Sequence, residues 1–156
     1  MIPQLTREQL LEAAHHYGTP LYVYHAECIT HQFESLRQAF AGAPVRFFYA
    51  AKALTNLHIL QHVHRIGADV DCSSINEVKL AITAGFMPQQ ILYTSNSVSF
   101  DEIAEARALG VHINIDSLSN LIKFAEANHG SYPVGIRIRP DILAGGNLQI
   151  STGHDR

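Results

Sequence analysis

Tryptophan is absent from these 156 residues, and cysteine appears only twice, at Cys28 and Cys72. Those two thiols make no CxxC and no Cys/His ligand set, so the sequence offers neither a disulfide framework nor a structural zinc site. Both are expected to be buried free thiols. An excess of one charge is also missing. Eleven Lys and Arg stand against 14 Asp and Glu, a formal net charge of -3, which leaves nucleic acid without electrostatic support as a partner. No apolar run approaches the roughly 18 to 20 residues that span a bilayer, so no membrane partner is expected either. The opening Met-Ile-Pro-Gln-Leu-Thr-Arg-Glu lacks the charged-then-apolar order of a signal peptide, and the expected location is the cytoplasm. What is there is 47% hydrophobic and 16% charged with a mean hydropathy of +0.02, the composition of a chain that buries a core.

Short β-branched and aromatic runs recur along the chain: Arg46 to Ala50, Asp69 to Ser73, Ile91 to Ser95, His112 to Asp116 and Val134 to Ile138. They start 23, 22, 21 and 22 residues apart. Each gap holds a helix of about ten residues and two short loops, so the pattern is a βα repeat with parallel neighbours. Helix punctuation agrees. Thr6-x-x-Gln9 opens a first helix that Gly18 closes, and Ile29, Phe33, Leu36 and Phe40 mark a second that ends at Gly42. Asn56 caps a third, with Leu60 and Val63 facing inward and Gly67 at its end. Ser74-x-x-Glu77 and Ser99-x-x-Glu102 read as capping boxes, stopped by Gly85 and Gly110. A further helix follows Asp116 through Leu118, Leu121, Ile122 and Ala125. Solenoid LxxLxL spacing is missing, and no glycine-rich turn follows the first strand of the repeat, where Ala51-Lys52-Ala53-Leu54 stands instead. The expected fold is therefore α/β, a partial (β/α)8 barrel with about five of eight units present.

In a parallel βα array the ligand site lies at the C-terminal strand ends. Those ends carry Lys52, then Asp71 with Ser73 and Ser74, then Ser95 and Asn96, then Asp116 and Ser117, then Arg137 and Arg139. Helix capping accounts for Ser74, Ser99, Asp116 and Ser117. Lys52 stands apart. It follows Phe47-Phe48-Tyr49-Ala50-Ala51, which reads as a strand buried on both faces, and burial would make a neutral amine accessible for Schiff-base chemistry. The other two lysines, Lys79 and Lys123, fall on helical patterns. His58, His62 and Arg65 share the polar side of the third helix and read as a solvated face; no HExxH is present and no metal is expected. Gly145-Gly146-Asn147 reads as a flexible turn after Pro140.

A series of ordered motifs resembles the fold-type III, pyridoxal-phosphate-dependent amino-acid decarboxylases, relatives of alanine racemase. Thr19-Pro-Leu-Tyr-Val-Tyr24 is similar to the strand that leads into the barrel in that family. Phe48-Tyr-Ala-Ala-Lys-Ala53 is similar to its cofactor-lysine motif, and Asp69-Val-Asp-Cys-Ser-Ser74 with Glu77 to its second-strand signature. Ile136-Arg-Ile-Arg-Pro140 and Ile150-Ser-Thr-Gly153 continue the series. Within the family, Arg139-Pro-Asp-Ile-Leu-Ala-Gly-Gly-Asn147 followed by Ile150-Ser-Thr-Gly-His154 is most similar to the branch acting on meso-diaminopimelate in lysine biosynthesis.

The resemblance implies pyridoxal 5'-phosphate as cofactor, Lys52 as the lysine that carries it, Asp71 beside it and Arg137 at the cofactor's ring oxygen. Glu77 also matches, although its capping position explains it equally well. The implied substrate is a small amino acid, and the implied assembly of the intact protein is a homodimer. Ornithine, arginine or carboxynorspermidine as substrate, and a non-catalytic cofactor-binding relative, are the alternatives. The chain departs from many relatives at Leu54, where they have Asn, and at Ser73-Ser74-Ile75-Asn76, where a glycine-containing turn is common. The implied organisation is N-terminal helices and a leading strand over 1–45, then an incomplete pyridoxal-phosphate-binding barrel over 46–156. The family's phosphate loop and C-terminal β-domain are not found in the sequence, so the chain is expected to be a piece of the enzyme, inactive alone.

Overall fold

A computed structural model describes residues 3–138. Among these residues an N-terminal helical pair is followed by five strands alternating with four helices: α1 (Arg7–Tyr17), α2 (Ala26–Ala39), β1 (Phe48–Ala50), α3 (Leu57–Arg65), β2 (Asp69–Cys72), α4 (Ile75–Ala84), β3 (Ile91–Thr94), α5 (Phe100–Ala108), β4 (His112–Ile115), α6 (Leu118–Asn128) and β5 (Gly135–Ile136). The strands form one parallel sheet in the order β1-β2-β3-β4-β5, so every strand pairs with its successor in the chain. All five expected strands are present, within two residues of their expected limits.

Caps place the helices. The Thr6 box closes with both reciprocal bonds, Gln9 N–H to Thr6 Oγ1 at 3.3 Å and Thr6 N–H to Gln9 Oε1 at 2.8 Å. Asn56 Oδ1 accepts from the amides of His58 and Ile59 and starts α3. The two later boxes are only half formed. Ser74 and Ser99 accept from the amides of Glu77 and Glu102, but the Glu77 carboxylate accepts from Ser73 N–H at 2.7 Å, one residue before the cap. The loop after β2 leaves that amide without a ladder partner, and the carboxylate satisfies it.

Alternation divides the sheet into two unlike faces. Val70, Cys72, Ile91, Tyr93, Ile113 and Ile115 are buried against Leu60, Val63, Val78, Ala81, Ile103, Ala106 and Phe124 of the helices. This is the core. The opposite face carries Phe48, Ala50, Asp69, Asp71, Leu92, Thr94, His112 and Asn114, none of them buried. Expected apolar positions on the last helix fare unevenly. Leu118 and Ile122 are exposed, while Asn120 and Phe124 are buried, because α6 docks through its Phe124 side and Asn120 Nδ2 donates to the Val98 carbonyl.

Further expectations need correction. His62 is not solvated: its Nε2 lies 3.1 Å from the Ala26 carbonyl and 2.9 Å from Thr30 Oγ1, tying α3 to α2. A carbonyl only accepts, so Nε2 carries the proton. No group of three potential metal ligands occurs among the described residues, and none of their helices is long and apolar enough to cross a membrane. Residues 19–24 form no strand there, and Leu21 to Tyr24 are exposed. Arg139, the Gly145-Gly146-Asn147 turn and the motif at Ile150 lie outside the described residues.

The two thiols part company. Cys28 is only half-buried, while Cys72 is fully buried on the helix side of β2. Burial, reinforced by the Glu77 and Asp71 carboxylates, pushes the Cys72 thiol up to about 12. A raised folded value stabilises the fold fully below the ordinary thiol range, and the contribution is lost as pH rises toward 12. At pH 8 an alkylating reagent should therefore label Cys28 and spare Cys72 until denaturant is added, as read by peptide mapping. Labelling of Cys72 in the folded protein would contradict this.

Candidate active site

Each strand delivers one or two polar side chains to the C-terminal rim of the sheet. β1 ends at Ala50, and the chain tightens into a 3-10 turn, Ala51–Ala53, with Lys52 at its middle. That turn is braced twice. Leu54 N–H donates to the Ala51 carbonyl at 3.0 Å, and the Tyr49 hydroxyl donates to the Leu54 carbonyl at 3.3 Å. Ala51 is fully buried beneath it, so the backbone under Lys52 is anchored.

The lysine itself is not desolvated. β1 is an edge strand whose three residues are half-buried, and Lys52 is exposed. The expectation of a strand buried on both faces fails: all three residues of β1 are half-buried, and among the described residues the strand pairs along one edge only.

Asp71 stands next to the lysine turn. Register pairs Ala50 with Asp71, so the turn that bears Lys52 starts beside the residue carrying this carboxylate. The Asp71 Oδ1 accepts from the Thr94 hydroxyl at 2.5 Å, and Thr94 Oγ1 in turn accepts from Asn114 Nδ2 at 3.3 Å. Arg137 follows β5 and is half-buried; its backbone N–H donates to the Ile115 carbonyl at 2.9 Å, which fixes it on the same rim three strands from Asp71. Glu77 stands in the first turn of α4 with a partner of its own. Its carboxylate is spent on the Ser73 amide, a structural task.

Farther along the rim, Asp116 accepts from Ser97 N–H at 2.9 Å, and Ser117 caps α6. Behind it the Tyr93 hydroxyl is buried without a hydrogen-bond partner among the described residues, and burial with nearby acidic groups raises it to about 12. Thr94 and Asn114 are not among the strand-end residues that the sequence points to. The legible signal is alternation: Asp71, Thr94 and Asn114 are polar members of one face in three successive strands, on the C-terminal side of Asp69, Leu92 and His112.

An amine, a carboxylate and a guanidinium on one rim suit a cofactor that has an aldehyde, a ring and anionic oxygens. A family model described as the pyridoxal binding domain of pyridoxal-dependent decarboxylases matches residues 26–156. The chain belongs to the pyridoxal-dependent decarboxylase family. Among curated members of that family it is 39% identical over 145 residues to the diaminopimelate decarboxylase of Methanothermobacter thermautotrophicus, covering 92% of this chain and 34% of that protein. The diaminopimelate decarboxylase of Pseudomonas aeruginosa is 33% identical over 148 residues, 92% of this chain and 36% of its own. In three dimensions the decarboxylase fold superposes on the Helicobacter pylori diaminopimelate decarboxylase complexed with L-lysine with a TM-score of 0.81 at 32% identity. The match covers 95% of this chain and 38% of that one. The described sheet and helices are thus five units of the family's eight-stranded barrel. The chain spans about a third of the length of the curated relatives it matches.

Proposed function

We propose that the protein to which this chain belongs is a pyridoxal-phosphate-dependent decarboxylase that converts meso-diaminopimelate to L-lysine. The observation that carries the reading is the placement of Lys52 on a braced turn at the C-terminal rim of the barrel strands, beside Asp71. Diaminopimelate decarboxylases at 30–39% identity favour this substrate over ornithine or arginine. The proposal includes a homodimer of the intact protein and a cytoplasmic location; the two free cysteines suit a reducing compartment.

Each rim residue has a task suited to its chemistry. Lys52 is the nucleophile that would hold the cofactor covalently, since an amine is the side chain that adds to a carbonyl. Asp71 supplies negative charge beside it, and Arg137 a permanent positive charge with directed donors toward an anionic oxygen. The bound cofactor supplies an electron sink for the carbon that loses carbon dioxide. Once free of the cofactor, the Lys52 amine can pass a proton at its Nζ as the product is released.

Borohydride reduction of the intact, cofactor-loaded protein followed by peptide mapping tests the assignment. Label on Lys52 is the expected result. Label on another lysine, or none, overturns it. Turnover of meso-diaminopimelate ahead of ornithine and arginine in a substrate panel tests the specificity, and the opposite ranking overturns that part.

A further inference from the structure

Three adjacent strands place three polar side chains in one row. Asp71 on β2, Thr94 on β3 and Asn114 on β4 all lie on the sheet face away from the helices and are joined by two hydrogen bonds, 2.5 Å and 3.3 Å long. Their chemistry gives the row a direction. An ionised carboxylate only accepts, so the Thr94 hydroxyl proton points to Asp71, and Thr94 Oγ1 can then only accept from its other neighbour. Asn114 must present its NH2 to Thr94, which turns its carbonyl oxygen toward β5. There, a Cβ built on Gly135 would fall 1.9 Å from Asn114 Oδ1 and 3.0 Å from its Cγ. Only glycine leaves room for the amide in this orientation.

We propose that Thr94 and Asn114 are positioning residues for Asp71: a one-way hydrogen-bond chain from β4 through β3 fixes the orientation of the carboxylate beside the lysine turn, and Gly135 keeps the space that the chain requires. The proposal rests on the reading of Lys52 and Asp71 as cofactor-site residues. Its content is separate, because it assigns to Thr94, Asn114 and Gly135 tasks that act through Asp71. Both bonds lie on the open face of the sheet, so the row contributes nothing to the apolar core on the other side.

The test uses the intact protein loaded with pyridoxal phosphate and reads the visible circular dichroism of the bound cofactor together with its dissociation constant. Asp71→Asn defines the signature of a lost carboxylate. Thr94→Val, nearly isosteric, should move the dichroic band in the same direction and weaken cofactor binding about tenfold, the size of one charge-assisted hydrogen bond. Thr94→Ser keeps the hydroxyl and should restore both. Gly135→Ala, which displaces the Asn114 amide while leaving Thr94 in place, should give a smaller shift of the same sign. Cofactor mapped to Lys52, with Asp71→Asn effective and Thr94→Val indistinguishable from the parent, overturns this inference alone. Cofactor on another lysine, or Asp71→Asn without effect on the band, overturns the functional reading beneath it. Failure of Thr94→Ser to restore what Thr94→Val loses assigns the effect to packing and overturns the inference as well.

Discussion

Lys52→Ala in the intact protein should lower decarboxylation by roughly 10⁴-fold or more and leave cofactor that washes out on dialysis, because covalent retention and proton transfer vanish together. Lys52→Arg should fare no better. It keeps the positive charge, but a guanidinium stays protonated near neutral pH and cannot add to a carbonyl. The pair of variants separates charge from nucleophilicity: activity retained by Lys52→Arg would mean that the site needs only a cation. Folding should be indifferent to both, since the Lys52 side chain is exposed while the turn beneath it is held by Ala51 and by the Tyr49 hydroxyl. Unchanged far-ultraviolet circular dichroism and an unchanged denaturation midpoint are the matching controls.

Leu60→Ala should destabilise the fold by about 2–5 kcal/mol, the usual cost of emptying a fully buried leucine site. Leu60 has no exposed surface, and it belongs to the core cluster in which helix side chains meet the buried face of the sheet. Neighbours there are short, Val63, Val78 and Ala81, and they stand on rigid helices, so they can collapse into the gap only partly. Urea titration of the intact protein reads the effect as a lowered midpoint. A loss below about 1 kcal/mol would mean that this cluster relaxes freely, contrary to the packing described.

The βα order was legible because it depends on local signals. Strand starts 21 to 23 residues apart, Asn56 and the serine caps, and the closing glycines each act over a few residues, and they fix where elements begin and stop. The position of Lys52 after the first barrel strand was legible for the same reason. Its exposure was not. Whether a strand is covered depends on what lies beside it in space, and β1 has a partner on one edge only. Glu77 shows the other limit: its spacing promises a reciprocal cap, yet a neighbouring amide left bare by the loop captured the carboxylate. Alternation puts Asn114, Thr94 and Asp71 on one face, but their joining into a row is visible only once register is known, since neighbours in it lie 20 and 23 positions apart and meet through pairing.

The strand order carries a consequence for biosynthesis. Because β1 to β5 line up in the order they are encoded, each new unit finds its partner in the one just made, about 22 residues upstream, and none of β2 to β5 waits for a distant segment. β2 to β5 can so be added by accretion as the chain leaves the ribosome, while the free edge of β1 waits. The sheet's advancing edge, however, always displays unpaired backbone donors and acceptors, which invite a second nascent chain to add its own strand. Until the last strand meets the first, the same regularity that makes assembly sequential leaves every intermediate sticky at both ends.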